Sequence, residues 1–111
     1  RQHAPYTGIM FNGQSTVAGV LEAGQWYHIA AVRKDGVNTV YINGVKQPLY
    51  GSSSEIDTNT DPVCIGVDYL HDGRFFKGLI DEVRICNVPR TADEIRQNVY
   101  LVRSGLGIVA K

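Results

Sequence analysis

Short runs rich in Val, Ile, Tyr and Thr alternate along the chain with breaks containing Gly and Asn. The breaks recur about every eight to twelve residues, the pattern of an all-β sandwich or barrel. It predicts strands over Tyr6–Phe11, Thr16–Leu21, Trp26–Arg33, Thr39–Ile42, Lys46–Tyr50, Val63–Val67 and Lys77–Cys86. The clearest is Trp-Tyr-His-Ile-Ala-Ala-Val-Arg. Side chains alternate along a strand, so Trp26, His28, Ala30 and Val32 share one face and Tyr27, Ile29, Ala31 and Arg33 the other. Arg33 marks its own face as the wetter one, which sets Trp26 and His28 toward the core. His28 is then a core histidine with its ring nitrogens hydrogen-bonded rather than a ligand or proton shuttle.

Turn chemistry supports this pattern. Asn43-Gly44 suits a type I′ hairpin turn, which needs positive φ at both central positions. Asp35-Gly36 is a second such pair, so three consecutive antiparallel strands are expected around them. Helical spacing enters only near the end. Thr91 and Glu94 stand three apart, as in a capping box that satisfies two backbone N–H groups reciprocally. A short helix over Ala92–Asn98 is expected, with Ile95 and Val99 holding it to the sandwich.

Residues 55–61, Glu-Ile-Asp-Thr-Asn-Thr-Asp, hold three carboxylates, and a carboxylate pair is the equipment of a glycosidase. The surrounding Gly-Ser-Ser-Ser-Glu-Ile-Asp-Thr-Asn-Thr-Asp-Pro is turn-forming throughout, so Glu55, Asp57 and Asp61 are expected on a loop. A catalytic pair needs a rigid support, and no other nucleophile or metal motif is present. The chain is therefore expected not to be an enzyme.

Composition narrows the classes further. The 111 residues suit one domain, spanning 1–111 or forming part of a larger protein. With 11 basic and 11 acidic residues the net charge is zero. Basic runs are absent, which argues against nucleic acid and against an anionic membrane surface. Apolar runs fall far short of the ~20 residues a membrane span requires, so no membrane insertion is expected. Cys64 and Cys86 leave two readings open, one disulfide or two buried thiols.

Three segments together resemble laminin-G-like domains, which are concanavalin-A-like jelly rolls. They are Gly-Gln-Trp-Tyr-His-Ile-Ala running into Tyr-Ile-Asn-Gly-Val, the Ile65-Gly66 pair, and Gly-Leu-Ile-Asp-Glu-Val-Arg-Ile leading into the helix. The likeness runs from about Gly24 to Ile95. It implies an antiparallel jelly-roll β-sandwich, shortened, with one short C-terminal helix. Only Tyr6–Leu21 precede the Trp-x-His strand, so the opening strands of a complete jelly roll are missing in this comparison. Either the tail Leu101–Lys111 supplies a strand, or an open sheet edge pairs two copies as a homodimer.

The resemblance also implies a structural calcium near Asp81, although no cofactor is required. Asp81 shares a face with Val83 and Ile85, read as core, and would otherwise bond turn amides or a basic side chain. Glu82 and Arg84 fall on the opposite face, as part of a solvated ladder. The loop Asp-Tyr-Leu-His-Asp-Gly-Arg-Phe-Phe holds Asp68, Tyr69, His71, Asp72 and Arg74. An aromatic surface beside bidentate polar groups is what sugar recognition needs. Its alternative is an ordinary polar loop anchored by Phe75 and Phe76. The expected function is a secreted, cell-surface or periplasmic binding module for a glycan or an extracellular protein. A structural or assembly module is the alternative, and a glycoside hydrolase ranks last.

Overall fold

The computed structural model describes residues 7–55, 64–65 and 76–104. Its elements are β1 (Met10–Phe11), β2 (Gln14–Ser15), β3 (Ile29–Lys34), β4 (Val37–Ile42), β5 (Val45–Gln47) and α1 (Ala92–Ser104). β1 and β2 form one antiparallel hairpin, and β3, β4 and β5 form a second antiparallel sheet in that order.

Each of these hairpins closes on an Asx-Gly pair. Asn12-Gly13, Asp35-Gly36 and Asn43-Gly44 all have positive φ at both positions, between 47° and 81°. That geometry matches the right-handed twist of the flanking strands. Two of the turns stand where the sequence predicts them. The Asn12-Gly13 turn splits the region differently, for its flanks are two-residue strands ending in polar Gln14 and Ser15. Thr16–Leu21 is accordingly not a strand. It curls through turns onto Thr7, with the Leu21 N–H donating to the Thr7 carbonyl at 3.0 Å.

The chain returns to this hairpin after β5. Tyr50 and Ser15 exchange backbone hydrogen bonds of 2.8 and 2.9 Å, and the Ser54 N–H donates to the Asn12 carbonyl. The approach is so close that a Cβ on Gly13 would lie 2.5 Å from Ser54 Oγ and 2.6 Å from the Ser52 carbonyl oxygen.

Burial alternates cleanly along β4, where Asn38, Val40 and Ile42 are buried and Val40 fully so. The register sets Arg33, Ala31 and Ile29 opposite these three residues. The face expected to be wet therefore holds the buried residues of β4, and on β3 Arg33 and Ile29 are half-buried while Ala31 is exposed; Arg33 is held there by polar partners. Its Nη1 donates to Asn38 Oδ1 at 2.7 Å and to Ser53 Oγ at 3.1 Å. Asn38 Nδ2 in turn donates to Gln14 Oε1 at 2.9 Å and reaches the Asn12 carbonyl at 3.3 Å. A buried amide thus ties the small hairpin to the three-stranded sheet, and buried polar groups persist only when satisfied in this way.

Trp26 is also a correction, being 52 % exposed. β3 begins only at Ile29, after a left-handed Gly24, so the alternation does not extend back to the indole. His28 is buried as expected, but against expectation its Nδ1 makes no hydrogen bond among the described residues. Its N–H donates to Asn43 Oδ1 at 2.9 Å, and its carbonyl accepts from the Asn43 N–H at 2.8 Å.

The capping box forms. The Thr91 N–H donates to Glu94 Oε1 at 2.9 Å and the Glu94 N–H to Thr91 Oγ1 at 3.2 Å. Ile95 and Val99 are buried, while Arg96 and Asp93 pair on the exposed side. A Cβ on Gly44 would lie 3.1 Å from Arg96 Cγ, so α1 sits against the β4–β5 turn. The helix runs past Asn98 to Ser104, so the start of the tail continues α1 rather than supplying a strand.

Lys77–Cys86 is not a strand, and no described strand pairs with it. Glu82 has φ +55°, which breaks an extended run. Asp81, Val83 and Ile85 are all exposed, so the row read as core faces outward. Glu82 and Arg84 likewise form no cross-strand ladder with any described strand.

Candidate functional site

A groove of about 250 Å³ runs along the outer side of β3. One wall is His28 through Arg33, the other is Arg84 with Cys86–Arg90, and Ile95 and Asn98 of α1 close it. β3 is positioned there by its Asp35-Gly36 turn. The facing segment is fixed at its far end by the cap of α1, three residues beyond Val88. The lining mixes aliphatic floor (Ile29, Val32, Ile95) with amide and guanidinium donors, and among the described residues neither Asp nor Glu is part of it.

Arg90 sits at the centre of the site's electrostatics. Its guanidinium is held above its ordinary pKa, first by the Cys86 sulfur and then by Glu94. The Arg90–Glu94 pair is 3.3 Å long and half exposed, so it contributes little stability. Glu94 is held below its ordinary value, chiefly by the Thr91 backbone N–H and hydroxyl. Cys86 is an exposed thiol and Cys64 a half-buried one, and neither is in a disulfide.

What such a lining can do is bind. Guanidinium and amide groups donate to carbonyl, carboxylate or hydroxyl oxygens, and the aliphatic floor takes an apolar edge. Among the described lining residues there is no carboxylate pair, and Glu55 is exposed on a different stretch. The rest of that stretch, with Asp57 and Asp61, lies outside the described residues, as do Asp68, Tyr69, His71, Asp72, Arg74 and Phe75. Phe76 is exposed. Asp81 lies on the exposed 76–83 stretch, and no cluster of three or more His, Cys, Asp or Glu exists among the described residues.

The groove escaped sequence reading because its walls come from strands predicted to be paired. Asn87 and Arg90 carry no motif, and the family segment that includes Arg84 does not mark a groove. Only the gathering of Arg33, Arg84 and Arg90 around one groove in the folded chain distinguishes the site.

Comparison with known proteins fixes the family. The laminin G-type sequence pattern of the concanavalin A-like lectin/glucanases superfamily matches residues 7–96. The chain belongs to this superfamily. Its two antiparallel sheets and C-terminal helix are a partial concanavalin A-like sandwich. Among solved structures, the domain is similar to residues 221–444 of an S-layer domain-containing protein from Clostridium thermocellum. The TM-score is 0.62 at 23 % identity, covering 78 % of this chain and 50 % of that one. The chain thus spans half the length of that structure, and the likeness is one of fold. Among curated proteins there is no sequence match. Within the described residues of this concanavalin A-like domain, no helix is long and apolar enough to cross a membrane.

Proposed function

We propose that this concanavalin A-like domain is a non-catalytic binding module working outside the cell or at its surface. The observation that carries this reading is the groove beside β3, whose described lining is donors and aliphatic carbon. The glycan-binding version adds the loop residues Tyr69, His71 and Arg74, flanked by Asp68 and Asp72, whose chemistry suits sugar hydroxyls and the sugar's C–H face. Calcium at Asp81 would be an accessory to that version, not a requirement. A glycan array decides between the two surfaces. Wild type is compared with Tyr69→Ala/Arg74→Ala and with Arg84→Ala/Arg90→Ala. Loss of binding in the first variant assigns the loop, loss in the second the groove. Cleavage of mixed β-glucan or laminarin, abolished by Glu55→Gln, would replace the binding reading with an enzymatic one.

A second reading is an assembly module, and a specific observation favours it. β3 ends its sheet without a neighbour among the described residues, and a row of apolar side chains from Leu79 to Val88 is exposed nearby. The structurally similar protein is an S-layer domain-containing protein. Edges of this kind are where chains join.

A further inference from the structure

Glycine follows asparagine twice, at Asn12-Gly13 and Asn43-Gly44, and both pairs are hairpin turns. The amide nitrogen after an asparagine stands near that residue's own side-chain Cγ, and its attack there closes a cyclic imide. Glycine leaves this nitrogen least hindered, because it has no Cβ. The third such turn, Asp35-Gly36, offers a carboxylate, a poor electrophile by comparison. The two Asn-Gly turns differ in how the fold holds them. Asn43 is restrained at both backbone and side chain. Its N–H donates to the His28 carbonyl at 2.8 Å, and its Oδ1 accepts from the His28 N–H at 2.9 Å, which keeps the carboxamide toward the start of β3. Gly44 is buried against Arg96 and Val99 of α1, so the helix shields its amide from solvent base. Opening this turn disturbs the β4–β5 ladder and the seat of α1.

Asn12 is held more loosely. Gly13 is exposed, and so is the Ser52–Ser54 stretch that lies against it. Among the described residues the Asn12 carboxamide makes one hydrogen bond, from Nδ2 to Asn38 Oδ1, at a long 3.4 Å. The Asn12 backbone carbonyl accepts twice, from the Ser54 N–H at 2.9 Å and from Asn38 Nδ2 at 3.3 Å. Donors on a carbonyl draw electron density out of its peptide group, which makes the Gly13 N–H a better acid. The flanking strands β1 and β2 have two residues each, so this turn opens at low cost.

We propose that Asn12-Gly13 is a site of spontaneous deamidation in the folded protein. Solvent base takes the Gly13 N–H proton, and the nitrogen attacks Asn12 Cγ. The Cγ–Nδ2 bond breaks, and the side-chain nitrogen leaves as ammonia with a proton from water. Water then opens the imide. Opening at Cγ leaves aspartate. Opening at the main-chain carbonyl leaves isoaspartate, with the chain routed through the former side chain. The isoaspartate carboxylate forms from the carbonyl to which Ser54 and Asn38 donate. A negative charge thus enters the network in which Arg33 donates to Asn38. The site is independent of what the groove or the loop at residues 68–75 binds.

To test this, full-length protein is held in mildly alkaline buffer, sampled over time, and mapped by peptide mass spectrometry with electron-transfer fragmentation, which tells aspartate from isoaspartate. A parallel sample is kept unfolded in urea. In the folded protein, product at Asn12 should form at least about tenfold faster than at Asn43, which converts to about 1.4 kcal/mol between the costs of opening the two turns. In urea the rates at the two sites should converge, since the fold no longer separates them. Isoelectric focusing of the folded sample should show one added negative charge on a chain of zero net charge. In Asn12→Asp, whose side chain suits the same turn, that acidic shift should not grow with time. Equal rates at the two sites in the folded protein would place the reaction in the unfolded chain and overturn the proposal. Faster reaction at Asn43 overturns it as well, as does an Asn12 left intact while the urea sample converts.

Discussion

The β3–β4–β5 sheet and the stretch from Leu79 to Val88 are built from the same letters. Both alternate Val and Ile with polar residues, and both read as core strands. One is a hydrogen-bonded sheet with Val40 fully buried, while in the other Leu79 and Ile85 are more than three-quarters exposed. The difference lies in closure. β3, β4 and β5 are joined by two-residue turns whose positive-φ residues fix the register locally. Residues 79–88 have no turn to a neighbouring strand among the described residues. Alternation sets which way side chains point, but only a partner strand makes a segment into sheet.

Mutations can break or sharpen this contrast. The largest effect is expected at Ile95, 3 % exposed at the foot of α1. Ile95→Ala should cost about 3 kcal/mol in urea denaturation, the usual loss for a buried aliphatic truncated to Ala. Asn38→Ala comes next, at about 2 kcal/mol, since it leaves Arg33 and Gln14 without their buried partner. Gly13→Ala should cost more than Gly36→Ala. Both need positive φ, but the Gly13 Cβ would collide with Ser52 and Ser54 while Gly36 meets open space. The second should lose about 1 kcal/mol, the left-handed penalty by itself.

Thr91→Ala should cost about 1 kcal/mol by removing the cap of α1. The same cap makes a pH prediction. Glu94 is held below its ordinary pKa of 4.5, first by the Thr91 backbone N–H. A carboxylate whose folded pKa is depressed stabilises the fold above its unfolded value. That contribution is lost as pH falls through the lower folded value. Helicity followed by circular dichroism should therefore fall on acidification below about pH 4.5, and less steeply in Glu94→Gln. The smallest effect is expected at Ile85. Ile85→Ala should change stability by less than about 0.5 kcal/mol, as for any exposed site. A cost near that of Ile95→Ala would mean that residues 79–88 are packed in solution.

The elements that turn chemistry and capping specify were legible. Asp35-Gly36, Asn43-Gly44 and the Thr91–Glu94 box needed only near neighbours. The family was legible too, because its three segments occur in order. The direction of burial was not. Arg33 looked like a mark of the solvent face, yet its guanidinium is satisfied by Asn38 and Ser53, twenty residues apart at most, beneath the small hairpin. Such an arrangement depends on where Gln14 and Ser53 land, which period-two patterning does not encode. Trp26 misled for a related reason, since its strand starts three residues later. The groove was invisible because it exists only where a predicted strand, Lys77–Cys86, did not pair. The sugar-type chemistry of Tyr69, His71 and Arg74 stands as read from sequence and is answered by the array.

Amide hydrogen exchange at β3, read residue by residue in dilute and in concentrated protein, tests most directly whether this edge is open. In dilute protein the Val32 N–H should be protected by β4, and the Ala31 N–H, aimed outward, should exchange rapidly. A rise in Ala31 protection with concentration is the outcome the assembly reading expects. Strong protection of Ala31 in dilute, monomeric protein would show that a single chain closes its own sheet, and the contrast between the two regions would fail.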